Sequence, residues 1–363
     1  MSKRIAIAID SLAGGGAEKV MLTLAKALLE LGHEPHLLVM HDNCSYTIPD
    51  GLKVHFCFDE KEHNIDSFWR LKTSTRKLQK WVAQLQKRFG LFDLFLSNLD
   101  KTNLLMTRVG VSPLYCVVHN SIEEELKRQL KLGPFAYINM LRAKSALNGQ
   151  HLITVSKGIE QEILNGTRIS PTSIQTIYNP FDFEEIVESS KELIVDIPKV
   201  DYFIHVGRFA KQKRHDVLFK ALKLTENKLP IVLLCHNQKK ALKAVKKYGV
   251  EDRIILPGFQ KNPFPWIKHA KALVLSSDFE GFGNVLVEAM ICGTPAISTN
   301  CNYGPNEILT GDLERFLTPI RDEKSMANKL DEILQNPPDI RDAEIFKKVK
   351  VLDIASQYLE LIK

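Results

Sequence analysis

Short β-branched runs alternate with helical periodicity along most of the chain. Lys3–Asp10 reads as a strand, and Gly14-Gly15-Gly16 breaks it. Ala17–Leu31 then carries Val20, Leu24, Ala27, Leu28 and Leu31 at helical spacing, and Gly32 ends the segment. His36–Met40 is apolar again. Strand, glycine turn, helix, strand is the opening of a βαβ unit, which implies a parallel sheet with right-handed crossovers. Further strands are predicted at Leu52–Phe58, Leu94–Ser97, Leu114–Val118, Leu152–Val155 and Ser173–Ile177, with helical segments between most of them.

The alternation restarts after a break. Tyr202–Val206, Ile231–Cys235, Arg253–Leu256, Ala272–Leu275 and Ala296–Ser298 read as strands. Arg214–Leu224, Lys239–Tyr248, Pro263–His269 and Gly283–Ile291 read as helices. Asn179-Pro180 and the charged segment Asp182–Lys199 form a plausible hinge between the two series. The expectation is therefore α/β: two doubly wound, Rossmann-like domains over 1–183 and 184–343, facing across a cleft. A last helical segment, Leu352–Ile362 within 344–363, is expected to pack back on the first domain. Ligands of open α/β sheets bind beyond the carboxyl ends of the strands, so the loops there are the ones to read.

Composition narrows the class. With 363 residues, 44% hydrophobic and 25% charged, the chain is long enough for two cores and ordinary for a folded protein. The net charge of +6 suits a phosphorylated ligand or an anionic surface but is too small to imply nucleic acid. Six scattered cysteines form no C-x-x-C pair, which argues against a zinc site or a disulfide framework. The apolar run Ile5–Ile9 is too short for a signal peptide, and no stretch approaches a membrane span. A cytoplasmic protein with at most peripheral membrane contact is expected.

Four loops carry candidate chemistry. Glu280-Gly281-Phe282-Gly283-Asn284 leads into a helix with Glu288 one turn further. Glycines allow close backbone approach, and a helix start offers N–H groups to an anion. The two carboxylates can take hydroxyl groups on either side of a diphosphate, although a plain glycine turn fits the local pattern equally well. Arg208 and Lys213 flank the connection after Tyr202–Val206, where two cations can neutralise a diphosphate; an ordinary basic loop is the alternative. Gly14-Gly15-Gly16 lacks the G-x-G-x-x-G spacing and by itself reads as a flexible turn. His119 ends a strand just before the capping-box pattern Ser121-Ile122-Glu123-Glu124, and a structural histidine is the commoner case there. Finally, residues 70–88 hold seven Lys or Arg and no acid. Lys72, Arg76, Lys80 and Lys87 fall together, opposite Leu71, Leu78, Trp81, Val82 and Leu85, so the helix suits either an anionic membrane surface or a sheet face.

Taken together, these elements resemble the glycosyltransferase family 4 group, retaining enzymes of the GT-B fold. The resemblance runs through Gly14–Gly16, Val118-His119-Asn120, Val155-Ser156-Lys157-Gly158, Tyr178-Asn179-Pro180, Val206–Lys213, Pro257-Gly258-Phe259 and Glu280–Glu288, the last being the family's E-x7-E signature. It implies that Arg208 and Lys213 hold the donor diphosphate with N–H groups of Phe282, Gly283 and Asn284. It also implies that Glu288 meets the ribose, Glu280 and His119 the transferred sugar, Gly15 and Gly16 the phosphates, and the backbone near Phe259 the base. Arg214 departs from the pattern, standing where many members have glycine. No metal or other cofactor is implied, only a nucleotide-sugar co-substrate. The stretch Gly304-Pro305-Asn306-Glu307-Ile308-Leu309 looks like the bacterial branch that builds lipopolysaccharide, capsule and lipid-linked glycans. The expected activity is retaining transfer of a hexose from a UDP-hexose to such a lipid-borne acceptor. The alternatives are a nucleotide-sugar epimerase of similar shape and a non-catalytic nucleotide-sugar binder.

Overall fold

The alternation is realised as two parallel sheets. In a computed structural model, which describes residues 1–59 and 61–362, contacts group Met1–Pro180 with the chain from Val349 onward, and Phe181–Lys348 as a second unit.

The first unit runs β1 (Arg4–Ile9), α1 (Gly16–Glu30), β2 (Glu34–His41), β3 (Lys53–Phe58), α2 (Leu71–Phe89), β4 (Leu94–Asn98), α3 (Asp100–Met106), β5 (Leu114–Val118), α4 (Ile122–Leu130), α5 (Pro134–Ser145), β6 (His151–Thr154), α6 (Lys157–Asn165) and β7 (Ser173–Thr176). Its seven strands lie in the order β3-β2-β1-β4-β5-β6-β7. β1 is buried along nearly its whole length, as a central parallel strand with both faces covered must be.

The second unit runs α7 (Phe183–Ser189), β8 (Phe203–Val206), α8 (His215–Leu224), β9 (Ile231–Leu234), α9 (Gln238–Tyr248), β10 (Ile254–Ile255), α10 (Phe264–Lys268), β11 (Ala272–Leu275), α11 (Asn284–Ile291), β12 (Ala296–Thr299), α12 (Pro305–Ile308), β13 (Leu317–Thr318) and α13 (Glu323–Gln335). Its six strands follow the order β10-β9-β8-β11-β12-β13. The edge strand β13 is two residues long, too short to show in the hydrophobic pattern, and the sequence reading assigns neither it nor α13.

The unit boundaries fall a few residues from the expected ones, for packing reasons. Phe181 meets Phe282 and Phe183 meets Phe346 at ring distances of 6.4 and 5.3 Å, which draws residues 181–183 into the second unit. Ile345 is fully buried in the 3-10 turn Glu344–Lys347, which packs on α12 and stays with that unit too. Only then does α14 (Val351–Leu359) join the first unit, packing on α1 with Ile354, Ala355 and Tyr358 buried.

The basic helix α2 resolves in favour of the sheet. Leu78, Val82 and Leu85 are buried in the first core, while Lys72, Arg76, Lys80 and Lys87 are exposed. Its apolar stripe is therefore occupied, and its charged residues face solvent. Among the described residues no helix is long and apolar enough to cross a membrane.

Candidate functional site

Each sheet is built outward from its first strand, so each has one place where successive connections leave in opposite directions. In the second unit that point lies between β8 and β11. Crevices form outside the carboxyl ends of strands at such a point. The two loops that meet there are Gly207–Arg214 and Ser276–Gly283.

Side-chain and backbone bonds zip these loops together. The Asp278 N–H donates to the Gln212 carbonyl at 2.8 Å, and Gln212 Nε2 donates to the Phe279 carbonyl at 2.7 Å. The Ser276 hydroxyl donates to the Lys213 carbonyl at 2.7 Å. Lys213 Nζ, in turn, donates to Glu280 Oε1 at 2.7 Å, with the two side chains only 15% and 9% exposed. Ser277 Oγ donates to the same oxygen. Among the described residues nothing donates to Glu280 Oε2. A lysine ammonium has three protons, so two remain for a ligand. Arg208 is exposed, and no described residue pairs with its guanidinium. The structure thus joins Lys213 and Glu280 as a pair and leaves Arg208 at the rim.

Arg214 follows in the left-handed region (φ 48°, ψ 45°), the conformation that glycine adopts without strain. Asp216 holds it there through Nε and Nη2 at 2.9 and 2.7 Å, and Asp278 accepts from Nη1 at 3.4 Å. The departure from the family pattern changes the residue and keeps the turn.

Gly283 (φ 95°) caps α11, so the chain turns sharply from Glu280 into the helix start. The first N–H groups of any helix lack intrahelical partners and carry partial positive charge. Glu288 is half-buried one turn along α11. The turn is braced from behind by a segment whose bracing the sequence did not predict. Phe279 bridges to Asn302, and Gly304 (φ 100°) lies against the Phe282 peptide so closely that a Cβ there would stand 1.8 Å from its carbonyl oxygen. The Gly304-Pro305 motif therefore shapes the turn that leads into α11.

Two further features lie at the same edge. Phe259, 53% exposed, stacks on His236 with ring centroids 3.8 Å apart and 15° between planes, giving a flat aromatic platform. Beneath Gly207, His205 Nδ1 donates to the Val274 carbonyl at 2.8 Å, and His215 packs between His205 and Phe209. Burial holds His205 down to about 4, so it is neutral at physiological pH beside the Lys213 cation.

In the first unit the reversal lies between β1 and β4. Here the chain satisfies its own donors. The Gly14 and Gly15 amides both donate to Glu18 Oε2 at 2.7 Å, and Ser11 Oγ donates to Glu18 Oε1 at 2.8 Å. The Gly15 N–H thus serves a carboxylate one helical turn ahead. Gly16 is the first residue of α1. Asp10, at the end of β1, accepts from the Thr102 N–H at 3.0 Å, and burial pushes its carboxyl up to about 6.

His119 ends β5 and donates from Nε2 to Asn98 Oδ1 at 2.8 Å. Asn98 Nδ2 donates to the Ala8 carbonyl at 3.1 Å, which fixes the amide and hence the tautomer. Burial lowers His119 to about 4. The imidazole is neutral, with Nδ1 as an acceptor. Beside it, Lys144 Nζ lies 2.6 Å from both Asp100 and Glu125 and is almost wholly buried. A cavity of about 40 Å³, lined in part by His119, Asn103 and Lys144, adjoins this cluster. No local pattern signals that triad, since its members come from three different helices.

Comparison with known proteins follows the same division. The model of Glycosyltransferase Family 4 matches residues 14–185, and that of Glycosyl transferases group 1 matches residues 190–348. Over 98% of this chain and 99% of its own length, a Campylobacter jejuni protein is 28% identical: N-acetylgalactosamine-N,N'-diacetylbacillosaminyl-diphospho-undecaprenol 4-alpha-N-acetylgalactosaminyltransferase. The lipopolysaccharide 1,6-galactosyltransferase of Salmonella typhimurium is 35% identical over 55% of this chain and 58% of its own. In structure, Anabaena HepE in complex with UDP and glucose superposes with a TM-score of 0.76 over 99% of both chains at 19% identity, a likeness of fold. With one glycosyltransferase model on each unit and only a four-residue connection between the matches, the chain belongs to the family 4 glycosyltransferases of the GT-B fold.

Proposed function

We propose that this chain transfers a hexose from a UDP-hexose to a lipid-borne glycan, with retention of configuration, at the inner face of the cytoplasmic membrane. The observation that carries the reading is the Lys213–Glu280 pair beside the start of α11 at the second sheet's reversal point. The relatives' names support the acceptor class, because one acts on a diphospho-undecaprenol glycan and another on lipopolysaccharide.

A nucleoside diphosphate is already a good leaving group. As the C1–O bond breaks, negative charge grows on the diphosphate, and fixed donors aimed there lower the barrier. In this proposal Arg208, Lys213 and the backbone of Phe282, Gly283 and Asn284 supply those donors. Glu280 Oε2 accepts from hydroxyls of the transferred sugar, Glu288 from the ribose, and the Phe259–His236 platform faces the base. Neutral His119 offers Nδ1 to a sugar hydroxyl. The departing phosphate takes the acceptor's proton during front-face attack, so no side chain is assigned as a covalent nucleophile. The positive charge comes from side chains and a helix start, and turnover is expected to survive EDTA.

The test is to incubate the protein with UDP-hexoses and UDP-N-acetylhexosamines, with and without a diphospho-undecaprenol oligosaccharide. Acceptor-dependent UDP release and an α-linked product by NMR are expected. A β-linked product would refute retention. A new sugar isomer without UDP release would instead identify an epimerase, and donor binding without either product a binding protein.

A further inference from the structure

The first unit exposes apolar surface that its core does not use. Phe68 and Trp69, in the loop before α2, are 74% and 87% exposed and pack edge to face at 5.5 Å. Leu132, in the α4–α5 turn, is 72% exposed, and Phe135 and Ile138 on α5 are 84% and 57% exposed. Phe135, Ile138 and Arg142 are spaced three and four apart and so share one face of α5. Arg142 Nη2 donates to the Asp66 carbonyl, which ties that face to the Phe68-Trp69 loop. Single exposed apolar residues are ordinary, but large ones gathered on adjoining elements mark an interaction surface.

Charge identifies the partner. Between Leu126 and Gln150 the exposed charged residues are Lys127, Arg128 and Lys131, all basic, while Lys144 is buried between Asp100 and Glu125. Arg128 and Lys131 are exposed beside Leu132, and Lys72 is exposed beyond Trp69. A second copy of the chain would bring these like charges face to face across an isologous contact. An anionic bilayer meets both requirements at once: aromatic side chains enter the interface and cations lie at the headgroups.

We propose that the Phe68-Trp69 loop and the α4–α5 hairpin dock this chain on an anionic lipid surface. The contact expected of α2 is thereby moved to its preceding loop and to the hairpin, because the apolar stripe of α2 is buried in the core. The helix α4 is capped by Ser121, two residues after His119, so the docking hairpin leaves directly from the strand end that carries His119.

The test uses the full chain without nucleotide or acceptor, so its result is separate from the donor reading. Vesicles of phosphatidylcholine with phosphatidylglycerol are compared with phosphatidylcholine alone by co-sedimentation and tryptophan emission. Trp69 is the exposed reporter, whereas Trp266 is 1% exposed. Expected is binding to the anionic vesicles with a blue shift that Trp69→Phe abolishes. Phe135→Ser with Ile138→Ser should weaken binding about tenfold or more. Arg128→Gln and Lys131→Gln should each weaken it about fivefold. Unchanged thermal midpoints show that these surface variants remain folded. The proposal is overturned by absence of binding, by a blue shift that persists in Trp69→Phe, or by binding that Arg76→Gln with Lys80→Gln reduces and the hairpin variants do not. Concentration-dependent dimers abolished by Phe135→Ser with Ile138→Ser would assign the surface to a second copy and overturn it equally.

Discussion

The two units share one scaffold and use it oppositely. Both sheets reverse direction beside their first strand, and both place their chemistry-bearing loops at that edge. In the first unit the chain's own carboxylates take up the donors: Glu18 holds two glycine amides, and Asp100 and Glu125 enclose Lys144. In the second, Lys213 meets one carboxylate and keeps spare protons, and Arg208 is exposed in the same loop. The difference lies in who satisfies the polar groups, not in the topology. At one edge two carboxylates enclose a single lysine; at the other a lysine meets one carboxylate and keeps two donors over, the arrangement proposed above to hold a ligand.

Perturbing Lys144 probes the structural side and should have the largest effect. Lys144→Ala strands two carboxylates and should cost about 3–5 kcal/mol of stability, read by urea denaturation, while the folded fraction keeps its UDP affinity. Loss of UDP affinity with stability intact would erase the distinction between the units. Arg208→Ala or Lys213→Ala should lower turnover by about 2–4 kcal/mol of transition-state stabilisation. For exposed Arg208 the stability change should stay within about 0.5 kcal/mol; near-normal turnover in either variant would remove the cationic site.

A pH experiment sharpens the comparison further. His205 titrates near 4 folded against about 6.5 unfolded, so the unfolded chain binds more protons between these values. Its contribution is complete above pH 6.5 and is lost as pH falls toward 4, on the order of 3 kcal/mol. Replacing His205 by Asn should flatten the fall in urea midpoint between pH 7 and pH 4; an unchanged slope would place the acid sensitivity elsewhere. The remaining probe is Gly304. Gly304→Ala drives a Cβ onto the Phe282 carbonyl and should weaken UDP binding at least tenfold, about 1.4 kcal/mol or more. Gly311→Ala is the control, because it shares a positive φ but a Cβ there meets nothing within 4 Å. Equal losses in both variants by calorimetry would reduce the effect to backbone strain.

Local pattern was enough to define most strands and helices and the parallel α/β class, and it singled out Arg208, Lys213, Glu280 and Glu288 as candidates whose roles came only from the resemblance. Each rests on near neighbours: an apolar run of four to six residues, a glycine turn, a helix start. Partnership between distant residues was decided only by tertiary structure. Lys213 and Glu280 are 67 positions apart and meet because β8 and β11 are neighbours in the sheet. Glu18 claims the Gly15 amide, Gly304 shapes the Phe282 turn, and α2 buries the stripe that suited a membrane equally well. In each case the side chain's chemistry was readable from its identity, but which group would satisfy it depended on the crossing of strands. Hydrogen bonds and packing act over a few ångströms in space, and separation along the chain does not measure that distance.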